Sequence, residues 1–244
     1  MPTFSFPRLR RFVAARLSPE GQTGLHLTVG VMLMVAAAWI FGDLAEDVVN
    51  NEAITVLDVQ IAHWFHANAT VSMTRIMLLI SNCNGMVGAP IMAALLALYF
   101  YRRREHYWLV ATFAVVPGGM LLNVLLKYVF HRSRPSFDDP LLSLTTYSFP
   151  SGHTANAALL YGLLASWLWV RHRGIGARAA IVAGACTMVA LVGISRMYLG
   201  VHYLSDVLAA AAEGCAWLAV CITAISTLRR RRQGRSLNQA GRDT

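Results

Sequence analysis

Six long apolar runs, separated by polar or arginine-rich segments, leave this chain few ways to fold in water. They lie at about residues 25–41, 86–101, 107–126, 154–170, 179–194 and 203–228. A hydrocarbon core of about 30 Å takes roughly 20 apolar residues per helix. Each run therefore reads as a candidate span, and the chain as an all-α, integral membrane bundle of six transmembrane helices. Composition agrees, with 56% of residues hydrophobic and 14% charged, against about 25% charged in a soluble domain. With that much apolar residue and only 18 Gly, 8 Pro and 4 Cys, the disordered, collagen-like and disulfide-scaffold classes are excluded. The second run is the weakest, because Asn82, Asn84 and Gly85 interrupt an apolar pattern that begins near Met77. The third carries Pro117-Gly118-Gly119, where a kink is expected. The first has a rival reading as a secretory signal cleaved near residues 36–38, against which stands its continuation through Trp39, Ile40 and Phe41.

Charge orients the spans. Of 21 basic residues, sixteen, all Arg, precede the first run or follow the second, fourth and sixth. The other five are Arg75, Lys127, Arg132, Arg134 and Arg196. Under the positive-inside rule both termini are cytoplasmic in a cell (inner or plasma) membrane, and the loops after the first, third and fifth spans face outward. The net charge of +9 is thus a membrane signature, and no nucleic-acid partner is expected. The organisation expected is a basic cytoplasmic leader at 1–24, one membrane domain at 25–228 and an Arg-rich cytoplasmic tail at 229–244. Residues 56–65, within an acidic outer stretch, pattern as a short amphipathic helix, lying in the interface or simply packed on the bundle. The cysteines show no metal spacing and read as packing residues.

Three polar clusters stand where a membrane protein has least reason to place them. The first is Lys127-Tyr128-Val129-Phe130-His131-Arg132-Ser133-Arg134-Pro135. Lys127 and Arg134 are two helical turns apart and share a face if the helix persists, before Pro135 turns the chain. Lys127 is the one lysine among twenty arginines, which points to a need for an ammonium. Snorkelling at the interface is the plain alternative. The second cluster is Pro150-Ser151-Gly152-His153. Ser151 is a natural N-cap, the backbone N–H groups of a helix start bind anions, and Gly152 admits close approach. His153 sits in the first turn; the alternative is a capped helix with an incidental histidine. In the third, Ser195-Arg196 is followed by His202 and Asp206. A carboxylate at i+4 can hold one imidazole nitrogen as N–H and leave the other free to attack, or the pair can merely staple helices. Alternating loops bring all three clusters to the outer face. Cations, a helix start, an oriented nucleophile and a second histidine suit phosphoryl transfer. No paired carboxylates or His-rich ligand set accompanies them, so neither metal nor cofactor is expected.

Lys127-x6-Arg134-Pro135, Pro150-Ser151-Gly152-His153 and Ser195-Arg196-x5-His202-x3-Asp206 resemble the three-part signature of the type 2 phosphatidic acid phosphatase family. Its relatives include bacterial phosphatidylglycerophosphate phosphatases, undecaprenyl-diphosphate phosphatases and the vanadium haloperoxidases. The likeness covers about residues 80–225, and every specified position matches. It implies a six-helix bundle of the acid phosphatase/vanadium haloperoxidase type and a metal-independent lipid phosphatase. His202 would be the nucleophile, Asp206 its orienting carboxylate and His153 the acid and base. Lys127, Arg134, Ser151, Gly152 and Arg196 would hold the phosphate. Substrates implied are phosphatidic acid, phosphatidylglycerol phosphate or a polyprenyl diphosphate. The alternatives are a lipid phosphotransferase using the same site, or a lipid-binding protein with a vestigial one. A haloperoxidase is disfavoured, since those relatives are soluble.

Overall fold

The computed structural model describes residues 25–240; the leader expected at 1–24 and the last four residues lie outside the described residues. Eight helices follow one another: α1 Leu25–Asn50, α2 Ala53–Ala67, α3 Val71–Cys83, α4 Gly88–Arg102, α5 His106–Phe130, α6 Gly152–Arg171, α7 Ile175–Tyr198 and α8 Leu204–Ala240. No strand occurs among the described residues.

Four stretches are long and apolar enough to cross a membrane alone: Leu27–Asn50, His106–Phe130, Ile175–Tyr198 and Leu204–Arg230. Helices α3 and α4 meet at a 50° bend and make a fifth if counted as one broken span. Helix α6 differs in kind. Thr154 to Leu160 and Leu163 are buried inside the bundle, where polar Thr154 and Asn156 have protein neighbours and lower the apolar signal.

The elements depart from the sequence expectations in several places. Helix α1 runs unbroken through residues 36–38 to Asn50, where Asn51 takes a positive φ of 56°. Its extension is amphipathic: Phe41, Leu44, Ala45 and Val48 pack with Phe130, Phe149 and Ala209, while Asp43 and Glu46 stay exposed. The acidic residues that look like a loop thus ride on the outside of a helix. The stretch expected as an interfacial or packing helix is α2, and its buried face holds Asp58 and Ala62. The second apolar run begins not at residue 86 but with a separate helix, α3, capped by Thr70, and the break falls on the polar residues that interrupt the pattern. Helix α5 continues through Pro117. Gly118 and Gly119 give close approach: a Cβ on Gly118 would lie 2.7 Å from the Trp217 ring, and one on Gly119 2.4 Å from Leu159.

The main core joins α4, α5, α6 and α8 through Phe100, Trp108, Val115, Val116, Leu159, Leu163 and Cys221. At one end of the bundle Glu105 accepts from Trp167 Nε1 at 3.0 Å and pairs with Arg171. The other end collects the C-terminus of α5, the N-terminus of α6, the C-terminus of α7 and the N-terminus of α8. There the chain crosses between helices through residues 131–151 and 199–203, with α2 packed alongside.

Candidate active site

Helix α5 stops at Phe130 because His131 adopts the left-handed conformation, φ 49°. This corrects the expectation that Lys127 and Arg134 share a helix face: Lys127 is helical, Arg134 lies in the loop beyond. They converge all the same, on the carbonyls of residues 146–148. Lys127 Nζ donates to Tyr147 O at 2.8 Å and Ser148 O at 3.1 Å. Arg134 donates to Thr146 O at 2.6 Å, Thr146 Oγ1 at 2.9 Å and Tyr147 O at 3.0 Å. Its Nη1 also bonds Val201 O and lies 3.2 Å from His202 Nε2.

His202 precedes α8 rather than standing on it, and Asp206 lies in that helix's first turn. Both are buried, at 2% and 0% exposure. Nδ1 of His202 is 3.3 Å from Asp206 Oδ2. That carboxylate oxygen also accepts from the Tyr203 N–H at 2.9 Å and from the Ser148 hydroxyl. The arrangement assigns the proton to Nδ1 and leaves the Nε2 lone pair facing Arg134. Burial, opposed by Asp206 and reinforced by Arg134 and Arg196, holds the imidazole well below its ordinary pKa. Burial likewise depresses Arg134.

Ser151 occupies the N-cap position of α6, but its side chain makes no cap hydrogen bond, contrary to expectation. Its hydroxyl accepts from Thr154 Oγ1 at 3.1 Å, while its N–H donates to Asp206 O at 3.1 Å, tying the start of α6 to α8. Gly152 is hemmed by α5: a Cβ there would lie 3.1 Å from Asn123 Oδ1 and 3.9 Å from Lys127 Cε. His153 faces the α3–α4 break, its Nε2 3.1 Å from where a Cβ on Gly85 would stand. Arg196 is turned toward the same region. It is 2% exposed, donates from Nη1 to Ser81 Oγ at 2.5 Å, and its Nε and Nη2 find no acceptor. A buried guanidinium with two unsatisfied N–H groups is costly without an anion.

Several polar groups here lie outside the signature positions. Asp58 of α2 is fully buried and accepts from the Ser205 N–H at 2.9 Å and from its hydroxyl. Arg132 bridges it to the dyad, with Nη2 2.8 Å from Asp58 Oδ2 and Nη1 2.6 Å from Asp206 Oδ1. Burial works against the charge of Arg132, but the two carboxylates outweigh it and raise its pKa. Deeper in the bundle Asn123 Nδ2 donates to Glu213 at 2.8 Å. Asp58 and Asp206 are 148 residues apart, and no local spacing announces such a pair. Among the described residues, no three His, Cys, Asp or Glu side chains gather in a way that could hold a metal ion.

A family model described as the PAP2 superfamily matches residues 108–230. Phosphatidylglycerophosphatase B of Bacillus subtilis is 41% identical over 116 residues, 46% of this chain and 54% of that protein. An undecaprenyl-diphosphatase of Sulfolobus acidocaldarius is 32% identical over 125 residues, 48% of this chain and 53% of that one. The chain therefore spans about half the length of these curated relatives. A crystal structure of a transmembrane PAP2-type phosphatidylglycerolphosphate phosphatase from Bacillus subtilis superposes with a TM-score of 0.67 at 29% identity, covering 77% of this chain and 93% of that one.

Proposed function

This chain belongs to the PAP2 superfamily, and on that footing we propose that it is a lipid phosphatase of the cell membrane. It removes phosphate from a lipid monophosphate or diphosphate at the outer face through a phosphohistidine. The observation that carries this reading is the orientation of His202. Its Nδ1 is engaged by Asp206 and its Nε2 lies 3.2 Å from the Arg134 guanidinium, so that a phosphoryl group drawn to Arg134 meets the nitrogen lone pair.

In the first step Nε2 attacks phosphorus, an N–P bond forms and the P–O bond to the lipid breaks. His153 gives its proton to the departing oxygen. Asp206, held by Arg132, Ser148 and the Tyr203 N–H, stabilises the positive charge that develops on the ring. Lys127, Arg134 and Arg196, with the Ser151 side chain and the Gly152 backbone, neutralise the non-bridging oxygens, which is where most of the catalysis lies in phosphoryl transfer. His153, now neutral, takes a proton from water. The water attacks phosphorus, the N–P bond breaks and phosphate leaves. The unsatisfied Nε and Nη2 of Arg196 support its part in holding the anion.

We take the membrane architecture as six crossings, with α3 and α4 forming one broken span and α6 crossing at the centre. Its 20 residues rise about 30 Å at 1.5 Å per residue, enough for the hydrocarbon core. Both termini are cytoplasmic, as the arginine clusters direct. The test is a phosphate-release panel with purified protein and phosphatidic acid, phosphatidylglycerol phosphate and a polyprenyl diphosphate in detergent. Release of free phosphate from at least one is expected. Phosphate passing to a second lipid, with none freed, overturns hydrolysis in favour of phosphotransfer.

A further inference from the structure

Asp58 lies outside every motif and outside the matched family region, on a helix of the acidic stretch, yet it reaches the centre of the site. It faces Arg132, and Arg132 faces Asp206: one guanidinium forks between two buried carboxylates at 2.8 and 2.6 Å. Ser205 closes the ring, donating its N–H and hydroxyl to Asp58 while accepting from Arg132 Nη1 at 2.7 Å. The remaining charged groups that act on His202 are positive, Arg134 from the loop and Arg196 from α7, and Lys127 of α5 lies near both. His153 from α6 and the Tyr203 phenol complete the titratable set, and Glu213, two turns deeper on α8, is bonded to Asn123.

With this arrangement in view, and resting on the reading of His202 as nucleophile, we propose that Asp58 is a positioning residue for phosphoryl transfer. By sharing Arg132, it leaves Asp206 its negative charge toward His202. Asp58, Arg132 and Asp206 together carry −1 beside the imidazole. Without Asp58, Arg132 would be left to Asp206 alone and the net would be zero. Asp206 would then hold the Nδ1 proton less firmly, and the positive charge that forms on the ring as Nε2 bonds phosphorus would be offset on that side only by a carboxylate already neutralised by Arg132. Asp58 touches neither substrate nor histidine; it acts through Arg132. Helix α2 is thereby part of the catalytic apparatus, and α8 is registered against it by Ser205.

The experiment compares wild type, Asp58→Asn, Asp58→Asn/Arg132→Gln and His202→Ala on phosphatidic acid in detergent micelles, measuring kcat, KM and the pH profile, with thermal unfolding as the folding control. Asp58→Asn should lose about tenfold or more in kcat with little change in KM. A neighbouring charge shifts a pKa by about one to three units; losing a negative one makes His202 less basic, so the acid limb of kcat/KM should move to lower pH by roughly one unit. The double variant restores −1 and should regain most of the activity and the limb, which a purely structural anchor would not do. Asp58→Asn within twofold of wild type overturns the proposal. So does a double variant that folds yet is no better than Asp58→Asn. If Asp58→Asn fails to fold, the charge-balanced double variant decides alone: kcat within about tenfold of wild type is expected, and a folded but hundredfold slower protein overturns the idea. A fully active His202→Ala overturns the underlying reading instead.

Discussion

Three cations of different origin meet at one place: Lys127 from a helix, Arg134 from a loop and Arg196 from a buried helix end. Replacing each by Ala should leave the protein folded and cost roughly 2–4 kcal/mol of transition-state stabilisation, about 30- to 1000-fold in kcat/KM. Arg75 is exposed on α3, and Arg75→Ala should be nearly neutral. Equal losses at Arg75 and Arg196 would mean that general electrostatics, not contact with phosphate, sets the rate. The pH profile is a second check. Because the folded pKa of His202 is depressed, the free enzyme should keep the neutral imidazole, and kcat/KM, to below the ordinary value near 6.5. For the same reason stability should be full above that value and fall as pH drops through it, since the unfolded chain then binds a proton the folded chain refuses. An acid limb at or above 6.5 would contradict the burial argument. The eight candidate site residues are legible in sequence because polar and charged side chains beside apolar runs stand out. Asp58 and Arg132 are not. An Asp in an acidic stretch and an Arg between Lys127 and Arg134 look like solvated charge until tertiary packing, 74 residues apart in sequence, pairs them.

Helix boundaries decide how these side chains meet, and here the sequence is a less direct guide. The apolar runs announce α5, α7 and α8, and their periodicity is long enough to survive polar interruptions. The extension of α1 and the start of α3 are hidden, because acidic or hydroxyl residues on the exposed face break an apolar run without breaking a helix. The left-handed turn at His131 and the break between α3 and α4 are local backbone events. The second has a clear requirement at Gly88, where a Cβ would lie 2.3 Å from Asn82 O and 2.4 Å from Cys83 O. The break carries Ser81 to Arg196 and Gly85 to His153. Gly88→Ala should therefore lower stability by about 1–3 kcal/mol, the range for forcing atoms into a filled space, and reduce activity with it. Gly184→Ala, with open space around it, should be neutral in the same thermal-unfolding measurement. Matching melting points for the two variants would show that the bend tolerates a side chain.

The whole molecule sets one polar end against one arginine-rich end, and the alternation of loops makes this a statement about sidedness. A reporter fused after Leu228 should stay cytoplasmic, and one inserted at Asp138 should be reachable from outside. An Asp138 accessible only from the cytoplasm would invert the assignment of the active site to the outer face. Helix α6 is not among the stretches long and apolar enough to cross a membrane alone, since a helix lined with Thr154 and Asn156 trades apolar signal for contacts inside the bundle. What would join fold to function is the covalent role proposed for His202. The decisive measurement is phosphoenzyme trapping with a labelled activated aryl phosphate, in EDTA, on wild type, His153→Ala and His202→Ala. Aryl leaving groups need little protonation, so wild type and His153→Ala should both form an acid-labile phosphohistidine, the latter stalling for want of a base. His202→Ala should form none. Acid-labile phosphoenzyme on His202→Ala, or labelling that EDTA abolishes and a divalent metal restores, would contradict the account and move the chemistry elsewhere.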